Sequence, residues 1–188
     1  MSSFSSVVLL LSVVELEAAT SVSKFSCQKR NLSVTVDDEL WLYIDGIEIT
    51  GLQNAEDYGK PDLVDLPCTT KLIAVHGSNG PAGDVAGILA STDDNYILTN
   101  SSWKCSNVSQ IGWVEIDFDD STWIPALEYG HNEDDDDWVL VPGISSGAFW
   151  IWLRQYTSDN DPMDRDVFCR KRLGKTKNLQ HACNSLCQ

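Results

Sequence analysis

The spacing of apolar residues between Asn31 and Gly51 constrains this chain most. In "NLSVTVDDELWLYIDGIEITG", Leu32, Val34 and Val36 share one face of an extended chain; Leu40, Leu42 and Ile44 then share one face, with Trp41 and Tyr43 opposite. Period two is the mark of a strand, because successive side chains point to opposite sides of a sheet. Asp45-Gly46 follows, and this pair predicts a hairpin, since a two-residue primed turn needs positive φ. The short runs "KLIAVHG", "DVAGILAS", "NYILT", "WVLVPG", "AFWIWL" and "DVFCRKRL" are divided by Gly, Pro, Asn, Asp and Ser. No long stretch has a helical period. Many short strands with turn residues between them predict an all-β, antiparallel sandwich or barrel with one core. In "AFWIWL", strict alternation puts Phe149, Ile151 and Leu153 on one face and Trp150 and Trp152 on the other. A central strand covered on both sides has that look, and a sugar-stacking groove lined by the tryptophan pair is the alternative.

The ends of the chain predict export. Residues 1–21 contain an apolar run from Val7 to Val14, too short to span a bilayer and followed by small residues, which fits a secretory signal. Glu15, Glu17 and the lack of a preceding positive charge argue for a buried amino-terminal strand instead. The predicted organisation is a signal at 1–21, one domain at 22–175 and a cysteine-containing tail at 176–188, with no membrane span. Cys27, Cys68, Cys105, Cys169, Cys183 and Cys187 are an even set that reads as three disulfides, whose pairing the sequence leaves open. Zinc is the competing use, but the spacings lack a CxxC pair or a histidine at ligand distance. Asn31, Asn100 and Asn107 begin Asn-x-Ser sequons, so secretion would make them glycosylation acceptors.

Formal charge is −15, and Arg154 is the one base between Cys105 and Asp164. Such a field repels phosphate backbones, which argues against a nucleic-acid partner. Calcium, a mineral face or a basic protein patch suits it better. "DFDDSTWIPALE", Asp117 to Glu128, has acidic or hydroxyl side chains at places one, three, five and twelve of a calcium loop. Thr122 stands where that loop needs glycine, Pro125 where it needs a ligand, and neither flank is helical, so the match is coincidental. The run Asp134, Asp135, Asp136 and Asp137 reads as a solvated loop. Its functional alternative is a loose calcium or mineral contact. No other cofactor is expected.

"TNSSWKCS" followed by "GWVEIDFDDSTWIPALEYG", then "AFWIWL" and "VFCRKRL", resembles the jelly-roll domains attached to glycosidases such as α-L-rhamnosidases and β-galactosidases. The resemblance covers Leu32 to Leu173. It implies a galactose-binding-like β-sandwich that recognises a carbohydrate or glycoprotein, and no catalytic residues, because in those enzymes the catalytic carboxylates belong to other domains. "GISSG", with Ser145 at its centre and Asp159 and His181 later, fits a nucleophile elbow in outline. That elbow needs a following helix, and "AFWIWL" is a β run. His76 and His131 read as structural. Two functions are expected: a secreted, non-catalytic recognition module for an extracellular glycan or glycoprotein, or an acidic structural protein of an extracellular, mineralised matrix.

Overall fold

In the computed structural model, which describes residues 29–80, 85–133, 139–153 and 164–174, the alternating segment becomes two strands in two different sheets. β1 (Arg30–Asp37) turns Leu32, Val34 and Val36 inward. The chain then crosses at Asp38, and β2 (Glu39–Ile44) turns Leu40, Leu42 and Ile44 into the same core from the opposite side. Asp45 at φ 50° and Gly46 at φ 86° form the expected tight turn into β3 (Ile47–Glu48). Both residues occupy the positive-φ region that a primed turn requires.

The other strands are β4 (Asp62–Leu66), β5 (Leu72–Ser78), β6 (Gly87–Thr92), β7 (Lys104–Ser106), β8 (Ile124–Pro125), β9 (Leu127–His131), β10 (Phe149–Trp152) and β11 (Asp166–Arg172). One sheet has the order β4-β1-β6-β10-β9 and the other β3-β2-β5-β11-β7-β8, with antiparallel pairing between neighbours. The described residues contain no helix. The chain is an all-β, antiparallel β-sandwich, as its periodicity predicts.

The interior forms where the two sheets face each other. Val34, Ile88 and Ile151 of the five-stranded sheet belong to one cluster with Leu42, Val75 and Val167 of the six-stranded one. Full burial of each such side chain stabilises by roughly 1.5–3 kcal/mol. Gly77 must be glycine, because a Cβ there would lie 2.8 Å from the Trp152 ring and 3.1 Å from Val36. Cys105 and Cys169 are directly paired on β7 and β11, form a disulfide, and are buried in this core. Cys68 is disulfide-bonded as well. Cys27, Cys183 and Cys187, together with residues 1–21 and 176–188, lie outside the described residues.

Three details depart from the pattern. The register of β10 slips between Phe149 and Ile151, so Ile151 and Trp152 both enter the main core while Trp150 packs on the opposite side. Two steps along β10, Phe149 to Ile151, face three along β9, His131 to Glu128, so the extra residue lies in β9 and strict alternation fails in β10 beside it. Trp150 and Trp152 are fully buried, which rules out a sugar groove between them. "NYILT" makes an isolated bridge from Leu98 to Ser91 and no strand. In "WVLVPG", Val139 and Leu140 are exposed and outside any strand. The buried Asn132 takes the local backbone groups instead: its amide donates to Val141 O and Ile144 O, and its oxygen accepts from Val141 N.

The outer faces of the two sheets are covered differently. Over the five-stranded sheet, Ser33, Thr35, Leu89, Ser91 and Trp150 are all buried. One covering loop is held by Asp62, whose carboxylate accepts from Gln53 N and Asn54 N at 2.7 and 3.1 Å, while Thr35 donates to Tyr58 O. A second contributes Val141, Ile144 and Ala148, which pack with Leu89 and Trp150. On the six-stranded sheet the connection between β7 and β8 covers one half of the outer face, and among the described residues no loop covers the other half, where Trp41 and His76 are half-buried.

Candidate functional site

The covered half contains the aromatic and acidic phrases of the sequence. Trp113, Trp123 and Phe168 bury one another outside the sheet, with Tyr43 and Phe118 against them. Trp113 meets Tyr43 and Phe168 edge to face, with centroids 5.4 and 5.1 Å apart, a geometry that the ring quadrupoles favour. Asp120 reaches back to β11, where one of its oxygens accepts from Arg170 Nε and Arg172 Nε, each at 3.0 Å. Arg170 also donates to Trp113 O and Glu115 O, and Arg172 to Ile116 O and Phe118 O. The Arg170 side chain is 0% exposed. Burial pulls its pKa below the ordinary value, and the hydrogen bond and charge of Asp120 oppose that pull. Asp119 accepts from Ser121 N at 2.9 Å and closes the turn. "DFDDSTW" and "RKR" are therefore two halves of one structural clip.

The open half presents two registered rows. Trp41 on β2 is paired with His76 on β5, and His76 with Phe168 on β11. Their rings stack in that order, with centroids 4.5 and 4.6 Å apart and planes within 17°. Trp41 ends the row half-buried. The next row toward the strand ends is Glu39, Ser78 and Asp166, again in mutual register. Alternation along each strand places both rows on the outer face, because Leu40, Val75 and Val167 point inward. Asp166, with a side chain 45% exposed, bonds His76 Nε2 at 2.8 Å. Trp113 forms the wall where the covered half begins. An apolar ledge thus borders a line of hydrogen-bonding groups, and Glu39 is exposed.

A second concavity lies at the other end of the sandwich, bounded by Arg30, Cys68, Thr70, Tyr96 and Leu173, with a volume of about 80 Å³. Arg30 lies 4.1 Å from the Tyr96 ring centre and pairs with Asp94 at 2.7 Å. Burial acts to raise the Asp94 pKa, but hydrogen bonds from Tyr96 N, Thr92 and Arg30, with the Arg30 charge, outweigh it and hold the carboxyl below its usual range. The cavity is well below the roughly 300–1,000 Å³ of small-molecule pockets. It has room for a few waters and none for a sugar ring.

The sequence-predicted residues are scattered. Asn107 is exposed and donates to Asp164 at 2.8 Å, Asn31 lies on β1 against Asp93, and Asn100 accepts from Ser102 N in a turn. Ser145 accepts from Gly147 N, and β10 follows it, not a helix. His131 packs on the Phe149 ring. Asp134 to Asp137, Asp159 and His181 lie outside the described residues. Among the described residues, no three His, Cys, Asp or Glu side chains converge as metal ligands, and no helix is long and apolar enough to cross a membrane. Sequence reasoning missed the Trp41, His76 and Asp166 constellation. Its only early signal was Trp41 and Tyr43 opposite an apolar face.

No protein-family model matches the chain. No solved structure matches it. Among curated proteins it is similar to an alpha-L-rhamnosidase of Streptomyces avermitilis, with 29% identity over 130 residues. The match takes in 62% of this chain and 12% of the length of that enzyme.

Proposed function

We propose that the protein is a non-catalytic carbohydrate-recognition module that binds a glycan on the open half of the six-stranded sheet. The observation that carries this reading is the Trp41-His76 stack, seated against the buried Phe168, beside the Glu39-Ser78-Asp166 row. A sugar ring has an apolar face of C–H groups and a rim of hydroxyls. It needs an aromatic surface and hydrogen-bonding groups side by side, and both are here. Similarity to a short part of a rhamnosidase supports the carbohydrate class. A buried disulfide favours an oxidising compartment, so the glycan or glycoprotein is extracellular.

The test is a glycan array, followed by titration of the best ligand against the wild type and Trp41→Ala. Saturable binding that the substitution abolishes supports the reading. An array without a defined sugar, or a ligand bound equally by Trp41→Ala, overturns it.

A further inference from the structure

We infer that the ligand is an uncharged, hydroxyl-rich sugar and that the site discriminates against uronic and sulfated glycans. The inference rests on the carbohydrate reading and concerns its specificity. Along the sheet, the outward-facing bases belong to the covered half. Lys104 donates to Asp120 O, and Arg170 and Arg172 converge on the Asp120 carboxylate. The open half holds Glu39 and Asp166, one on either side of Ser78 in the same row. His76 is the basic group of that half, and its Nε2 already faces Asp166 at 2.8 Å.

Ionised carboxylates accept hydrogen bonds and donate none. A sugar hydroxyl supplies the donor they require, whereas a carboxylate or sulfate on the ligand meets like charge, and among the described residues no lysine or arginine of β2, β5 or the outward positions of β11 stands in that half to answer it. Glu39 and Asp166 stand two strand spacings apart, about 10 Å. One sugar ring with a hydrogen bond at each end fills that distance while its C–H groups lie beside Trp41 in the neighbouring row. The wider protein adds to the selection, since its net charge of −15 repels anions as they approach.

The experiment compares charge-matched pairs on the full chain: methyl galactoside against methyl galacturonide, and methyl glucoside against methyl glucuronide, by calorimetric or NMR titration at low salt. The neutral member of a bound pair should bind at least tenfold more tightly, and the gap should narrow as ionic strength rises. Glu39→Gln with Asp166→Asn keeps a hydrogen-bonding group at both positions and should raise uronide affinity several-fold without changing the thermal midpoint. Equal or tighter binding of the uronide overturns the inference and leaves the carbohydrate reading intact. A gap that persists in the double variant removes the assignment to Glu39 and Asp166. If no neutral or acidic glycoside binds, on the array or in titration, the carbohydrate reading itself fails and the inference with it.

Discussion

The two halves of one sheet face are built from the same residue types and do different work. In the covered half, Trp113, Trp123 and Phe118 shut out water and Arg170 is buried against Asp120. In the open half, Trp41 and His76 remain half-buried and Asp166 stays partly exposed. Aromatic and acidic side chains occur in both. What separates the halves is whether a loop of the described residues closes over them, so residue type alone does not reveal a binding face. The comparison predicts that substitutions in the covered half lower stability, while those in the open half lower ligand affinity.

The largest effect is expected from Arg170→Ala. It leaves Asp120 with Arg172 alone and removes the Arg170 hydrogen bond to the carbonyl of Trp113, and breaking a buried pair costs about 3–5 kcal/mol. Chemical denaturation should show that loss, while molecules still folded keep their sugar affinity. A loss below about 1 kcal/mol would mean that the clip does not hold the covered half together. Removing the neighbouring disulfide with Cys105→Ala and Cys169→Ala should cost about 2–4 kcal/mol. Equal thermal midpoints for this variant and the wild type would contradict a stabilising role for the bridge.

Two tryptophans sharpen the stability side. Trp103 is fully buried and its indole N–H donates to Leu98 O at 2.9 Å, whereas the Trp123 Nε1 is buried without a hydrogen-bond partner. Trp103→Phe should cost about 1–3 kcal/mol more than Trp123→Phe, because only the first leaves a buried carbonyl unsatisfied. Equal costs in the two denaturation curves would show that lost volume, not the hydrogen bond, sets the penalty. Trp41→Ala should cost only about 0.5–1.5 kcal/mol of stability, the worth of its ring stack, yet weaken sugar binding at least tenfold. The reverse result would place Trp41 with the structural residues.

Much of the fold was legible because alternation is a local property. Leu32 to Ile44 and the Asp45-Gly46 turn could be read residue by residue. The slip between β10 and β9 could not, since the extra residue lies in the partner strand and nothing within "AFWIWL" marks it. β4, β7, β8 and β9 escaped because each is short and without a clear alternation, and pairing with a neighbouring strand rather than pattern places them. The site was least legible of all. Trp41, His76 and Asp166 are far apart in the chain and meet only through register, while the conspicuous phrases "DFDDSTW" and "RKR" pair with each other as structure.

The smallest effect concerns acid, and it tests whether charge or packing ties down the covering loop. Hydrogen bonding from the Ser121 N–H, helped by the Ser121 hydroxyl and the charges of Arg172 and Lys104, holds the Asp119 carboxyl below its ordinary value. A group whose folded pKa is depressed lends stability above its unfolded value of about 3.9 and loses it as pH falls through the folded one. Asp119→Asn keeps an oxygen for Ser121 but cannot ionise. The variant should therefore melt slightly below the wild type near pH 6, and the two midpoints should converge as the solution is acidified toward about pH 2. Asp94, depressed by its own hydrogen bonds and by Arg30 at the far end of the sandwich, gives both proteins a shared acid dependence that cancels in the difference. A gap that stays constant with pH would show that the turn is held by shape and burial alone, so that the ionised carboxylate of Asp119 adds nothing to the loop that divides the covered half from the open one.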